Sequence, residues 1–254
     1  MNKSLVVCVV GLALSCSSLF AQKTAKQEVT KDIDPLALHM VKAATDPIKN
    51  AKAYSFRALV SRDWLGTNDQ ILTVFSTSEF TVERPNKLHI KFRGRGEPVE
   101  LFYDGSGKAV LYSASKKFFT TVTAPNTIDA MLEGVAKKGL DIAVRNFLES
   151  DPNESLIDDV TTAYVVGKVD LFDQKVYHLA FTEPEAEWQL WIVGDEKPIV
   201  KRLEVINKTK PHDPRIIVDF FDWDFNPTTS NDMFTFSKPA DAHEIEMLKE
   251  TAEN

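Results

Sequence analysis

The sequence predicts an α+β fold in which a strongly curved antiparallel sheet of roughly ten strands carries helices on its concave face. Two observations favour this class. Most of the chain after residue 53 alternates apolar and polar residues, as strands with one buried face do. Helical spacing is confined to residues 34–46 and to the middle of the chain, so strands and helices do not alternate as parallel βαβ units require.

The first 21 residues have the layout of a secretory signal peptide. Lys3 precedes an apolar run that is short for a membrane span of about 20 residues, and the run ends in small residues before Ala21. We expect export and cleavage after Ala21. The alternatives are a membrane anchor and acylation of Cys16, because Leu14-Ser15-Cys16 loosely matches a lipobox. Since Cys8 and Cys16 both lie here, the cleaved chain would contain no disulfide.

The rest of the chain predicts one domain. Residues 22–33 are polar and free of aromatic residues and predict a flexible lead-in, residues 34–246 form the domain, and residues 247–254 are expected to fray. The net charge of the whole chain is −7, and an acidic surface argues against binding to nucleic acid. The sequence sets no oligomeric state.

Three segments show the spacing of helices. Asp34-Pro35 supplies a capping acid and a proline at the first helical position, and this helix is expected to end near Asp46-Pro47. Residues 126–138 and 141–150 each carry an apolar stripe at helical spacing. We therefore predict one helix at the start of the domain and two in its middle.

The strands are predicted from period-two alternation and from turn residues. Asp104-Gly105-Ser106-Gly107, for example, tolerates the positive φ angles of a hairpin turn. The predicted segments are residues 53–61, 70–79, 84–93, the hairpin 98–113, 117–123, 162–171, 174–181, 187–193, 198–207 and 214–225.

One of these strands, residues 187–193, carries an indole on each face. Alternation places Trp188, Leu190 and Ile192 on the concave side and Gln189, Trp191 and Val193 on the convex side. Trp191 is expected either to be covered by the N-terminal segment or a loop, which favours a carrier, or to stand exposed as a contact for a partner.

The sequence contains no recognisable catalytic or metal-binding motif. The five histidines, His39, His89, His178, His212 and His243, lack the spacing of metal ligands, and there is no nucleophile elbow or phosphate loop. A hydrolase that pairs His178 with an Asp or Glu is the remaining enzymatic alternative. We expect no catalytic residue, no metal and no cofactor.

Large apolar residues are concentrated on one face of the strands. An ordinary core accounts for most of them, and a curved sheet with few helices can also leave an apolar cavity beneath it. The candidate ligand-facing residues are Phe56, Leu88, Ile90, Phe92, Leu101, Tyr103, Met131, Leu132, Tyr177, Leu179, Phe181, Trp188, Leu190 and Ile192.

Several motifs resemble an uncharacterised bacterial family of predicted periplasmic proteins that is grouped with the lipoprotein-carrier superfamily of LolA, LolB and LppX-like folds. The resemblance spans residues 34–245, and its motifs are Arg84-Pro85-Asn86-Lys87-Leu88, FYDG at 102–105, TIDAML at 127–132, HLAF at 178–181 and WQLWI at 188–192. It implies an open half-barrel with helices plugging the concave side over a cavity that takes acyl chains in the carriers. The arginine with which the carriers hold their lid closed has no assignable position in this sequence.

The resemblance and the apolar strands together predict an exported, non-enzymatic periplasmic protein. Its cavity would hold a lipid, an acyl chain or a lipidated protein. The alternative is an envelope sensor or interaction module that binds another protein through the half-barrel surface and has no ligand cavity. Peripheral contact with a membrane is compatible with both functions. A cavity inside the sheet favours the first, and a filled interior favours the second.

Overall fold

The computed structural model describes residues 32–140 and 142–246. The predicted signal peptide with Cys8 and Cys16, residues 22–31 of the predicted lead-in and the predicted frayed end at 247–254 lie outside these residues. The last two lead-in residues, Asp32–Ile33, form a short strand. The predicted division of the chain into a leader and one domain stays a prediction.

One open, curved sheet organises the described residues. Its strands are β1 (Asp32–Ile33), β2 (Ala53–Leu65), β3 (Ile71–Glu83), β4 (Lys87–Arg93), β5 (Val99–Tyr103), β6 (Lys108–Ser113), β7 (Phe118–Thr123), β8 (Thr162–Leu171), β9 (Gln174–Thr182), β10 (Ala186–Val193), β11 (Ile199–Asn207), β12 (Arg215–Asp224) and β13 (His243–Glu244). The α-helices are α1 (Pro35–Asn50), α2 (Ile128–Ala136) and α3 (Pro152–Ile157), and 3₁₀ turns lie at Arg145–Phe147 and Asn231–Met233.

The strands follow the order β1-β8-β9-β10-β11-β12-β2-β3-β4-β5-β6-β7-β13. Neighbouring strands are antiparallel except at the two ends, where β1 and β13 pair in parallel with β8 and β7. The prediction of an α+β fold with a large open sheet is confirmed. The count of roughly ten strands is wrong, because the sheet has thirteen. β1 and β13 contain two residues each, and alternation cannot reveal so short a strand.

The predicted alternation gives the sheet one apolar face, which we call the inner face. Across β2 to β5, Phe56 lies opposite Phe80, Phe80 opposite Ile90, and Ile90 opposite Leu101. All four side chains are buried, and the rings of Phe56 and Phe80 stack with centroids 4.6 Å apart. Such rows of neighbouring side chains bury apolar area from every strand of the sheet at once.

Helix α1 packs on the inner face. Asp34 caps its start, with Oδ1 accepting a hydrogen bond of 2.8 Å from the backbone N–H of Leu36. The predicted end near Asp46-Pro47 is wrong, since the helix continues through Pro47 to Asn50. A proline there removes one hydrogen bond near the helix end, and burial of Ile48 against the core opposes that loss.

One of the two helices predicted in the middle of the chain is present. α2 lies inside the predicted segment 126–138 and buries its apolar stripe. The predicted helix at 141–150 is wrong, because its described residues form turns and one 3₁₀ turn. The missed helix is α3, which begins after Asp151 with proline in its first turn, as α1 does after Asp34.

The opposite, outer face is partly covered by the chain that follows β12. Phe236 packs against Phe102, Tyr112 and Phe119, with ring centroids 5.1 to 5.7 Å apart. Phe234, in the same segment, is fully buried. The return of this segment to β13 therefore gives the strands β5 to β7 an apolar layer on their second face as well.

Candidate functional site

An apolar cavity of about 270 Å³ lies on the inner face between the strands β2 to β6 and the segment that follows α2. Eleven of its fourteen lining residues are apolar, and the other three are Arg62, Ser76 and Ser78. The lining consists of Val60, Arg62, Ser76, Ser78, Phe80, Ile90, Phe92, Val99, Leu101, Leu111, Leu140, Ile142, Ala143 and Val144. The sheet does not fill its own interior at this place.

The polar side chains of the cavity lie together on two neighbouring strands. Val60 of β2 pairs with Ser76 of β3, and Arg62 is the next inward-facing residue of β2. Phe92 of β4 pairs with Ser78, lines the same cavity and is 40% exposed. The cavity is therefore open near Phe92, and the side chain of Arg62 lines the same end of it.

The segment after α2 forms the wall of the cavity opposite the sheet. Leu140, Ile142, Ala143 and Val144 contribute apolar side chains to this wall. The wall begins just after Gly139, three residues beyond the end of α2, where a φ of +90° reverses the chain. We call Leu140 and Ile142–Val144 the cover of the cavity.

The chain just after the cover is fixed by two side chains of the sheet. The Tyr54 hydroxyl donates a hydrogen bond of 2.8 Å to the carbonyl of Phe147. The guanidinium of Arg84 donates to the carbonyl of Glu149 at 2.7 Å and to that of Leu148 at 3.4 Å. Burial raises the pKa of Tyr54 well above its usual range, so this hydroxyl keeps its proton at neutral pH.

Arg84 is a functional candidate that the sequence analysis did not identify. It lies in the motif Arg84-Pro85-Asn86-Lys87-Leu88, just after β3, and its guanidinium also lies over the ring of Tyr54. An arginine beside a proline gives no sequence signal of this contact, because its partners are backbone carbonyls about 64 residues away. The carbonyls lie in the last turn of the segment that was predicted to be helical, where a helix leaves its carbonyls without an internal partner.

The structure distributes the fourteen predicted ligand-facing residues over three environments. Ile90, Phe92 and Leu101 line the cavity. Tyr177 and Ile192 line a second pocket of about 340 Å³ beside α1, whose wall also contains His39 and Asp195. The remaining nine are buried and line neither space: Phe56, Leu88, Tyr103, Met131, Leu132, Leu179, Phe181, Trp188 and Leu190.

Trp191 adopts neither of the two predicted arrangements. It lies on the outer face, is half-buried, and is stacked on His178 of β9 with ring centroids 4.4 Å apart. A side chain of the neighbouring strand thus covers one face of the indole, instead of the N-terminal segment or a loop. His178 Nε2 lies 2.7 Å from Oε1 of Gln189. The histidine is therefore engaged by an amide and an indole, and the observed contacts do not provide the carboxylate that a hydrolase would need.

The described residues contain no group of three or more His, Cys, Asp or Glu side chains placed to hold a metal ion. His89, the most buried of the histidines, lies 2.9 Å from a Glu100 oxygen and stacks on Phe102. In the part of the chain that the structure describes, no helix is long and apolar enough to span a membrane.

Residues 37–248 match the model of a protein family described as "Predicted periplasmic protein (DUF2092)". The chain belongs to this family. The resemblance noted from the motifs is thereby confirmed, and the family description agrees with a periplasmic location. No curated protein matches the sequence.

Several solved structures are similar to the chain. LprF from Mycobacterium bovis is 13% identical over 83% of this chain and 99% of its own, with a TM-score of 0.47. The lipoprotein LppX from Mycobacterium tuberculosis is 14% identical over 77% of this chain and 98% of its own, also with a TM-score of 0.47. MucB of Pseudomonas aeruginosa, in its complex with MucA, is 13% identical over 82% of this chain and 63% of its own, with a TM-score of 0.42.

Proposed function

We propose that this protein is a non-enzymatic periplasmic binding protein whose cavity holds one acyl chain of a lipid or lipidated protein. The observation that supports it best is the cavity itself, which is apolar in eleven of fourteen lining residues and lies between the sheet and the cover. Apolar pockets with a few polar groups are the usual form of sites for apolar ligands. In this proposal the concave sheet acts as an open half-barrel, and the helices and the cover close it.

The volume limits the ligand. A space of about 270 Å³ exceeds the roughly 150 Å³ of an engineered cavity that binds benzene, and it lies just below the usual range of ligand pockets, about 300 to 1,000 Å³. At about 30 Å³ for each water-sized group, it takes on the order of nine such groups. One short chain or the end of a longer chain fits, and a whole two-chain lipid does not.

The same volume limits the affinity. Each buried methylene contributes about 0.8 kcal/mol, so nine contribute about 7 kcal/mol. Without any opposing cost this corresponds to a Kd on the order of 10 μM, and the loss of ligand freedom weakens it further. Tighter binding requires the cover to move outward and enlarge the cavity.

The cover is held in a way that suits such movement. Gly139 at its start has a backbone conformation that only glycine adopts without strain, and an added Cβ there would meet nothing within 4 Å. Its far end is fixed through the carbonyls that Tyr54 and Arg84 bind. We infer that the cover swings about Gly139 when Arg84 releases these carbonyls.

A series of fatty acids of rising chain length tests the proposal. Binding is measured by displacement of a fluorescent fatty acid from the delipidated protein. Affinity should increase with each methylene and reach a plateau after about nine, because further methylenes stay outside the cavity. An affinity that does not change with chain length, or that keeps rising at the same rate for the longest chains, would contradict binding in this cavity.

A pair of neighbouring residues on β3 supplies the variant and its control. Ser78 is 7% exposed and lines the cavity, whereas Thr77 points to the outer face of the same strand. Ser78→Leu should shorten the plateau by about three or four methylenes, and Thr77→Leu should leave the series unchanged. If both substitutions have the same effect, the ligand binds elsewhere.

Export is part of the proposal, with cleavage after Ala21 or acylation at Cys16. Intact mass spectrometry of the protein isolated from the envelope of the producing cells distinguishes the two. Cleavage should give a chain that begins at Gln22. A lipid-modified chain that begins at Cys16 would replace cleavage after Ala21 with the anchored form, and an uncleaved chain would contradict both.

A further inference from the structure

The hairpin formed by β2 and β3 ends in an exposed apolar tip. Trp64, Leu65, Ile71, Leu72 and Phe75 are each between 41% and 59% exposed. Trp64 pairs with Leu72, and Leu65 pairs with Ile71, so the two pairs lie on opposite faces of the hairpin. A sheet packed on a core normally has one apolar face, whereas this tip is apolar on both.

The tip projects beyond its neighbouring strands. Pairing of β12 with β2 ends at Arg62, and pairing of β4 with β3 ends at Thr77. At about 3.3 Å for each residue, the hairpin extends about 10 Å past the first point and about 20 Å past the second. Beyond these points no strand pairs with the edges of the hairpin, and its five large apolar side chains are exposed. Pro211, His212 and Pro214 of the loop before β12 line a small pocket with the tip.

Two exposed arginines lie beside the hairpin. Arg93 is the last residue of β4 and Arg95 lies two residues later; both are exposed, and neither makes an ion pair within the described residues. The guanidinium of Arg95 lies 5.2 Å from the centre of the Trp64 ring. Two carboxylates oppose this charge: Asp63 on β2, which accepts the backbone N–H of Arg215 at 3.0 Å, and Asp69 in the turn that joins β2 to β3. The exposed arginines are thus a local source of positive charge at the hairpin in a chain whose net charge is −7.

We propose that this tip inserts into the surface of an anionic lipid bilayer. A bilayer surrounds an inserted tip and covers both of its faces, whereas a protein groove covers one. Tryptophan favours the level of the lipid headgroups, and apolar side chains enter about 5 to 10 Å below that level. Arginines that lie further back from the tip contact the anionic headgroups. The length and the charge of the hairpin meet these requirements together.

The insertion also places the cavity at the membrane. Arg62 lines the cavity and lies two residues before Trp64 on the same face of β2, about 7 Å along the strand. Ser76, another lining residue, directly follows Phe75. An acyl chain can pass between the bilayer and the cavity opening over this short distance. This link depends on the proposed function, and insertion of the tip does not.

Binding of the full chain to vesicles tests the insertion. Phosphatidylcholine vesicles with and without phosphatidylglycerol are sedimented with the wild type and with two double variants. Leu72→Ser/Phe75→Ser alters the tip, and Tyr164→Ser/Val166→Ser removes side chains of matched exposure, 55% and 47%, from β8. All proteins carry the same N-terminal segment, so its contribution is equal.

We expect the wild type to prefer the anionic vesicles and to lose binding as salt rises. The tip variant should bind at least about tenfold more weakly, and the β8 variant should match the wild type. Brominated lipid should quench tryptophan fluorescence on binding, and Trp64→Phe should remove that quenching.

Three results would overturn the insertion. In the first, the tip variant binds vesicles as well as the wild type does. In the second, both double variants lose the same amount of vesicle binding. In the third, the wild type does not bind vesicles, and the tip substitutions abolish self-association in sedimentation velocity. The last result would assign the tip to a second copy of the chain. Ser78→Leu, which alters the cavity alone, should bind vesicles as the wild type does, so failure of the cavity proposal is seen separately.

Discussion

The hydroxyl of Tyr54 offers a direct test of how the sheet holds the chain after the cover. Tyr54 is fully buried in β2, and its hydroxyl donates to the Phe147 carbonyl at 2.8 Å and lies 3.4 Å from Arg84 Nη2. Phe147 is fully buried as well. Tyr54→Phe keeps the ring and its packing and removes only the hydroxyl, so the carbonyl of Phe147 loses its donor in a place that water does not reach.

The expected cost follows from that burial. A buried polar group left without its partner costs about 1 to 3 kcal/mol. For a domain of this size, each kcal/mol lowers the melting temperature by about 2 to 4 °C, so a loss of about 2 kcal/mol lowers it by about 4 to 8 °C. Exposed Tyr164 supplies the control, because Tyr164→Phe removes a hydroxyl at a site that is 55% exposed and should change stability by less than about 0.5 kcal/mol.

The measurement is urea unfolding of the two variants and the wild type, followed by circular dichroism. Equal midpoints for Tyr54→Phe and Tyr164→Phe would refute the reasoning, because the buried hydroxyl would then contribute no more than an exposed one. A second comparison uses Arg84→Met with Tyr54→Phe in a double-mutant cycle. Since both side chains hold the same segment, the two losses should add to more than the loss in the double variant.

Two further predictions concern a turn and a buried carboxyl group. Gly105→Ala should destabilise the protein more than Gly107→Ala. Both glycines have positive φ, but a Cβ at Gly105 would lie 2.2 Å from Asn86 Nδ2, whereas a Cβ at Gly107 would meet nothing closer than 3.8 Å. Equal melting temperatures of the two variants would contradict this prediction. Burial raises the pKa of Glu183, against the hydrogen bond from Trp188 Nε1, so the folded state holds this proton more tightly than the unfolded chain. Stability is therefore lost as pH rises from about 4 through that pKa, and Glu183→Gln should melt progressively higher than the wild type toward neutral pH, whereas a constant difference would refute the linkage.

The strands were largely predictable because their signal is local. Alternation at Leu88, Ile90 and Phe92 fixed which side of β4 faces inward, and the structure keeps that assignment. The segment 141–150 failed because an apolar stripe at helical spacing also fits a chain that makes turns over a core. Its carbonyls bind Tyr54 and Arg84, and a partner so far away in the chain leaves no periodic signal.

The apolar character of the candidate site could be predicted from the sequence, but its position could not. Side chains of the inner face all have the same local pattern. Leu88 is nevertheless fully buried in the core, whereas Ile90, two residues further along the strand, lines the cavity. The difference depends on what lies above each residue. Alternation identifies the face of a strand, but it contains no information on whether a helix, a loop or a space covers that face.

The sequence by itself determined the face of each long strand, the cap at the start of the first helix and the family, because each of these depends on neighbouring residues or on motifs. Only the tertiary structure decided the position of the cavity, the covering of Trp191 by His178 and the projection of the β2–β3 tip. These features depend on where strands end relative to one another and on which distant segments meet. An aliphatic side chain of one size is therefore core at Leu88, cavity wall at Ile90 and exposed tip at Ile71.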